Sequence, residues 1–162
     1  MQVKKAMVCH FKKLQSLKPI PFLGAIWLEH VVLATILGLL LEKIFQPFEY
    51  NPFVDMDRLF FYIYVILMGP FIETFLFQMI PVALIKKFCK SNHLSMVGSI
   101  FLFSISHLGN GWSGFISSIL GGFYYAFSYI SWIRNGKGSA VLITMVHHSM
   151  YNVFVGVSVL LQ

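Results

Sequence analysis

The chain has 162 residues, of which 57% are hydrophobic and only 11% charged, with a mean hydropathy of +0.76. A soluble domain carries about a quarter charged residues, so this composition excludes an ordinary soluble fold and points to an integral membrane protein. The net charge of +6 comes without an aromatic-interleaved basic patch, which argues for anionic lipid and membrane topology and against nucleic acid.

In chain order, residues 1–20 come first. Val3, Met7, Phe11 and Leu14 fall on one helical face, with Lys4, Lys5, Lys12 and Lys13 around the other. This is the pattern of a basic amphipathic helix lying on a membrane surface; a basic tail that only sets topology is the alternative. Lysines recur through Lys18, and no small-residue cleavage site follows, so a cleaved signal is not expected. Five hydrophobic blocks then follow: Phe22–Leu41, Leu59–Ile85, Leu94–Leu108, Gly114–Ile133 and Ser139–Leu161. They are continuously apolar rather than alternating, which favours helices over a barrel. A span needs roughly 20 residues, and the third block is short for one. The predicted fold is therefore all-α: one integral membrane domain over residues 1–162, a bundle of about five spanning helices plus the N-terminal amphipathic segment.

Lysines before the first block, Lys86, Lys87 and Lys90 after the second, and Arg134 and Lys137 after the fourth all reach the cytoplasm if the N-terminus does. The acid-rich loop with Glu42, Glu49, Asp55 and Asp57 then lies opposite. Cys9 and Cys89 fall on the reducing side, so two free thiols are expected.

Ionisable residues inside such helices face the bundle interior and often carry function. They are Glu29 and His30, Glu73, His107, and His147 and His148, with Asn152 on the same helix face as His148 and Thr144. At ~1.5 Å per residue, Glu73 lies ~20 Å from Lys86, His107 ~25 Å from Lys90, and His148 ~17 Å from Lys137. Three helices of alternating direction thus bring a carboxylate and two imidazoles to a similar depth. A buried Glu with two His and an Asn is a set of parts for hydrolysis, the Glu taking a proton from water and the others steadying an oxyanion. The same Glu73, His107 and His148 could ligate a divalent metal such as zinc, or each could serve only as an interhelical hydrogen-bonding group. Glu29, His30 and His147 are expected outside the central cluster, because neighbours on a helix diverge by about 100°.

"GNGWSG", Gly109 to Gly114, spells a dinucleotide fingerprint but joins two membrane helices instead of opening a βαβ unit. Its Ser113 resembles a rhomboid nucleophile, yet the order of the other elements is wrong, and a helix N-cap is the ordinary role there. Gly114, Ser118, Gly122 and Ala126 recur every four residues as a close-packing seam.

"ETFLFQ", "FSISH" and "HHSMYN" resemble the three motifs of the CAAX protease and bacteriocin-processing family of intramembrane proteases: Glu-Glu-x-x-x-Arg, Phe-x-x-x-His and His-x-x-x-Asn, in this order. The similar region, residues 69–152, would be the protease-like core. The resemblance implies a bundle-embedded endopeptidase of a cytoplasmic-type bacterial membrane. Glu73 would activate water, with His107, His148 and Asn152 completing the site and Thr74, Gln78 and Phe103 supporting it. It implies a membrane-associated or lipidated peptide substrate and leaves metal-dependent and metal-free glutamate mechanisms both open. Thr74 and Gln78 replace the family's second Glu and its Arg. A non-catalytic binding or bacteriocin-immunity protein using the same cavity is the alternative.

Overall fold

The computed structural model of the protein describes residues 2–45 and 57–160, and the described residues are helical with no strand. Glu49 and Asp55 of the predicted acidic loop lie outside them. The helices are α1 (Gln2–Gln15), α2 (Pro19–Ile44), a long α3, α4 (Asn92–Ser106), α5 (Gly111–Trp132) and α6 (Lys137–Leu160). The α3 helix is a run of consecutive segments, Arg58–Ile63, Tyr64–Met68, Gly69–Glu73, Thr74–Met79 and Ile80–Cys89.

Three helices are long and apolar enough to cross a membrane: Pro19–Ile44, Phe60–Cys89 and Lys137–Val157. The other two predicted blocks also form helices, for different physical reasons. With 15 residues, α4 is about 22 Å long, short of a hydrocarbon core of about 30 Å. The 22-residue α5 is long enough, but it is the enclosed centre of the bundle, with every residue from Tyr124 to Tyr129 buried. A helix wrapped by protein does not need a lipid-facing surface, so its serines, tyrosines and glycines dilute its hydropathy. The small-residue seam has the expected use. A Cβ on Gly122 would sit 3.3 Å from the Ile100 Cα and 3.1 Å from the Phe103 ring, so glycine lets α4 and α5 pack backbone to backbone.

The amphipathic α1 packs on protein. Leu14 and Phe11 join the cluster of Phe22, Ile26, Tyr124, Phe127 and Ile143. The Arg134 guanidinium donates to the Gln15 carbonyl at 2.7 Å, and the Gln15 amide donates to Ser131 Oγ at 3.2 Å. These bonds bring the chain leading into α2 and the end of α5 to the same end of the bundle. Helix boundaries follow local chemistry. The Phe60 N–H donates to the Asp57 carboxylate and the Leu94 N–H to Ser91 Oγ, capping α3 and α4. Left-handed Lys90 ends α3 just before the Ser91 cap. Ser113 lies inside the first turn of α5, whose N-cap is Asn110, so the capping role expected of Ser113 is not the one it has. Cys9 and Cys89 are free and exposed.

The shape of α3 follows from Pro70 and Pro81, which have no N–H to donate. Each follows a π-helical segment, Tyr64–Met68 and Thr74–Met79. The Gly69 N–H bonds the Tyr64 carbonyl instead of Val65's, and the next residue able to serve Val65 is Pro70. The Val65 carbonyl is thus released from the ladder, and the Asn152 amide donates to it at 2.8 Å. Eleven residues after Pro70, Pro81 cannot serve the Phe77 carbonyl, and Ser99 Oγ donates to it at 2.6 Å. Inside a membrane protein such freed carbonyls are met by neighbouring helices. Here α6 and α4 meet them, and Glu73 is held between the two wide turns.

Candidate active site

Glu73 ends the segment between the π turns, a kind of irregularity common at functional sites. Its Oε2 lies 3.6 Å from His148 Nε2, with the Glu73 side chain 28% exposed and that of His148 5%. This separation is longer than a hydrogen bond. Glu73 Oε2 and His148 Nδ1 have no hydrogen-bond partner.

The spacing of Phe103 and His107 acquires a physical meaning. The Phe103 carbonyl lies 2.9 Å from His107 Nδ1, and a carbonyl can only accept, so Nδ1 carries the proton. Neutral His107 then has its lone pair on Nε2. The Phe103 ring contacts both imidazoles, at 4.5 Å between centroids for His107 and 5.9 Å for His148. His148 is stacked on Tyr125 at 4.0 Å. One aromatic pair from α4 and α5 therefore fixes the rings of two histidines from α4 and α6.

A cavity of about 210 Å³ is lined by His107, His148 and Asn152, together with Phe103, Tyr125, Tyr151 and small residues of α5. Glu73 is not in its lining and reaches the site through His148. Asn152 also borders a second, apolar groove of about 220 Å³ between α3 and α6, lined by Phe61, Tyr62, Val65, Ile66, Val153 and Val157 among others. Asn152 is thus the junction of a polar cavity and an apolar groove.

Thr74 and Gln78 are fully buried, at 0% exposure, and their side-chain polar atoms have no hydrogen-bond partner. Among the described residues no group of three or more His, Cys, Asp or Glu is arranged to hold a metal ion. Glu73, His107 and His148 therefore do not fit a three-ligand metal site.

Glu29 and His30 have separate partners. Glu29 accepts from the Tyr124 hydroxyl at 2.9 Å and pairs with His10 at 2.8 Å. His30 bonds His147 at 3.3 Å, and His147 bonds Ser128 at 3.0 Å. His30 is also sandwiched between the rings of Tyr124 and Tyr151. Sequence reasoning missed Tyr125, Tyr151 and the Val65 carbonyl. The carbonyl had a readable signal, a proline inside an apolar helix block; the tyrosines had none beyond their place in an aromatic helix.

No curated protein and no solved structure matches the chain. The family model described as type II CAAX prenyl endopeptidase Rce1-like matches residues 55–154, well over half of the chain and all three motifs. The apolar helices, the three motifs and this match agree: the protein is an integral membrane protein belonging to the Rce1-like CAAX prenyl endopeptidase family.

Proposed function

We propose that the protein is an intramembrane endopeptidase that hydrolyses a peptide bond of a membrane-associated, lipid-bearing substrate, with Glu73 as the general base. The observation that carries this reading is the approach of Glu73, from behind the cavity lining, to within 3.6 Å of His148, which lines a cavity together with His107 and Asn152. Glu73 takes a proton from water as its oxygen attacks the scissile carbonyl carbon. The lone pair of His107 Nε2 orients that water. His148 and the second amide hydrogen of Asn152 steady the oxyanion. Collapse breaks the C–N bond, and the proton on Glu73 passes to the leaving amine. The groove beside Asn152 suits the apolar chain of the substrate. Residues 69–152 form the catalytic core of a single domain.

The test is cleavage of a panel of lipidated and unlipidated membrane peptides by the purified, reconstituted chain, with Glu73→Gln and a chelator as controls. Binding of a peptide without turnover in wild type would favour the non-catalytic binding or bacteriocin-immunity reading.

We place the N-terminus in the cytoplasm of a bacterial cell, supported by the lysine clusters. The native thiols are the probes, since Cys9 and Cys89 are both exposed. In single-cysteine variants of intact cells, a membrane-impermeant maleimide is expected to leave both unlabelled until the membrane is opened. Labelling of either one in intact cells would invert the assignment.

A further inference from the structure

The inner face of α3 and that of α6 run antiparallel and are pinned together at two levels. At one end Glu73 meets His148 at 3.6 Å. At the other, Val82 and Ala140 pack together with Tyr129, all at 0% exposure. Between the pins lie Gln78 on α3 and Thr144 on α6, each about midway, and Thr74 adjoins the Glu73 end. Thr74, Gln78, Tyr129 and Thr144 are fully buried. Yet Thr74 Oγ1, both polar atoms of Gln78, the Tyr129 hydroxyl and Thr144 Oγ1 have no hydrogen-bond partner in the protein. The same holds for Glu73 Oε2 and His148 Nδ1 at the site end. Buried polar groups in a membrane interior are satisfied almost without exception. A water molecule is the ligand that matches a row of mixed donors and acceptors, since it needs two to four polar partners.

We propose that this seam binds a short file of ordered water, held by Tyr129, Gln78, Thr144 and Thr74 and ending at Glu73 and His148. The apolar layer of Val82 and Ala140 closes its far end, so the file is a reservoir and not a channel. Its use, keeping a hydrated carboxylate supplied with water inside lipid, rests on the proteolytic reading; its existence does not.

Hydroxyl-radical footprinting of the full chain in lipid nanodiscs tests it without any substrate, because radicals formed from internal water mark side chains next to that water. Rates are normalised to the unfolded chain. Tyr129 is expected to be oxidised severalfold faster than Phe22, although both are at 0% exposure, since Phe22 sits in a cluster whose one hydroxyl, that of Tyr124, is already bonded to Glu29. Thr144→Val is expected to lower the Tyr129 rate severalfold. Where that variant fails to insert, Gln78→Met gives the same reading. Tyr129 as protected as Phe22, or a Tyr129 rate unchanged by either substitution, would overturn the proposal. A dry seam in an active protease removes this inference alone, and a hydrated seam in a protein without turnover removes the proteolytic reading alone.

Discussion

Glu73→Gln is expected to lower the rate of peptide hydrolysis by roughly 10²–10⁴-fold, the contribution of a positioned general base, while the folded and inserted protein persists. The substitution is close to isosteric. Glu73 Oε2 has no hydrogen-bond partner to lose, and its contact with His148, at 3.6 Å, is long. Thermal stability in nanodiscs should therefore stay near wild type while kcat collapses and substrate binding remains. Asn152→Ala should behave differently. In the proposed mechanism it removes an oxyanion donor, which costs about 10²–10³ in kcat, and it also strands the Val65 carbonyl that Asn152 holds at 2.8 Å. A buried acceptor left alone costs roughly 1–3 kcal/mol, so this variant should lose stability as well as rate. Kinetics and thermal unfolding of the two variants side by side separate the roles. Turnover that survives Glu73→Gln takes Glu73 out of the mechanism.

The candidate site was legible in the sequence to the extent that helical periodicity and membrane depth carry it. Glu73, His107 and His148 could be placed at a similar depth because each sits a countable distance from a lysine or arginine cluster, and depth is set by the rise of the helix. What lay beyond reach were features that depend on departures from a regular helix. The two π turns of α3 change which side chains face inward, and a count at 3.6 residues per turn does not see them. The sequence shows the cause, Pro70 and Pro81, but not which neighbours satisfy the freed carbonyls. Asn152 illustrates the gap. Its spacing from His148 suggested a group of the reactive centre, while its hydrogen bond to Val65 shows that it also braces α3. The blocks likewise located the five apolar helices, α2 to α6, but not their surroundings. Hydropathy reads what a helix would show to lipid, and α5 shows most of its length to protein.

Thr74→Glu is expected to destabilise the protein by about 3–5 kcal/mol, the scale on which an uncompensated buried charge is felt. Thr74 is at 0% exposure with no partner for its hydroxyl, and its neighbour Glu73 already supplies one carboxylate. A second one is costly to ionise there without a cation. Gln78, four residues on and equally buried, is where the family motif carries arginine, at a spacing that lets side chains meet along a helix. Thr74→Glu with Gln78→Arg should therefore recover most of what Thr74→Glu loses, because the guanidinium compensates the new carboxylate in the same polar seam. The chain as it stands has exchanged both charges for neutral groups, a change that buried pairs tolerate at little cost. A double-mutant cycle read by unfolding in lipid decides the matter, and a coupling well above the 0.3–0.5 kcal/mol typical of independent sites is expected. Additive effects of the two substitutions, or a Thr74→Glu variant as stable as wild type, would mean that positions 74 and 78 are not partners and that the neutral pair is no substitute for a charged one.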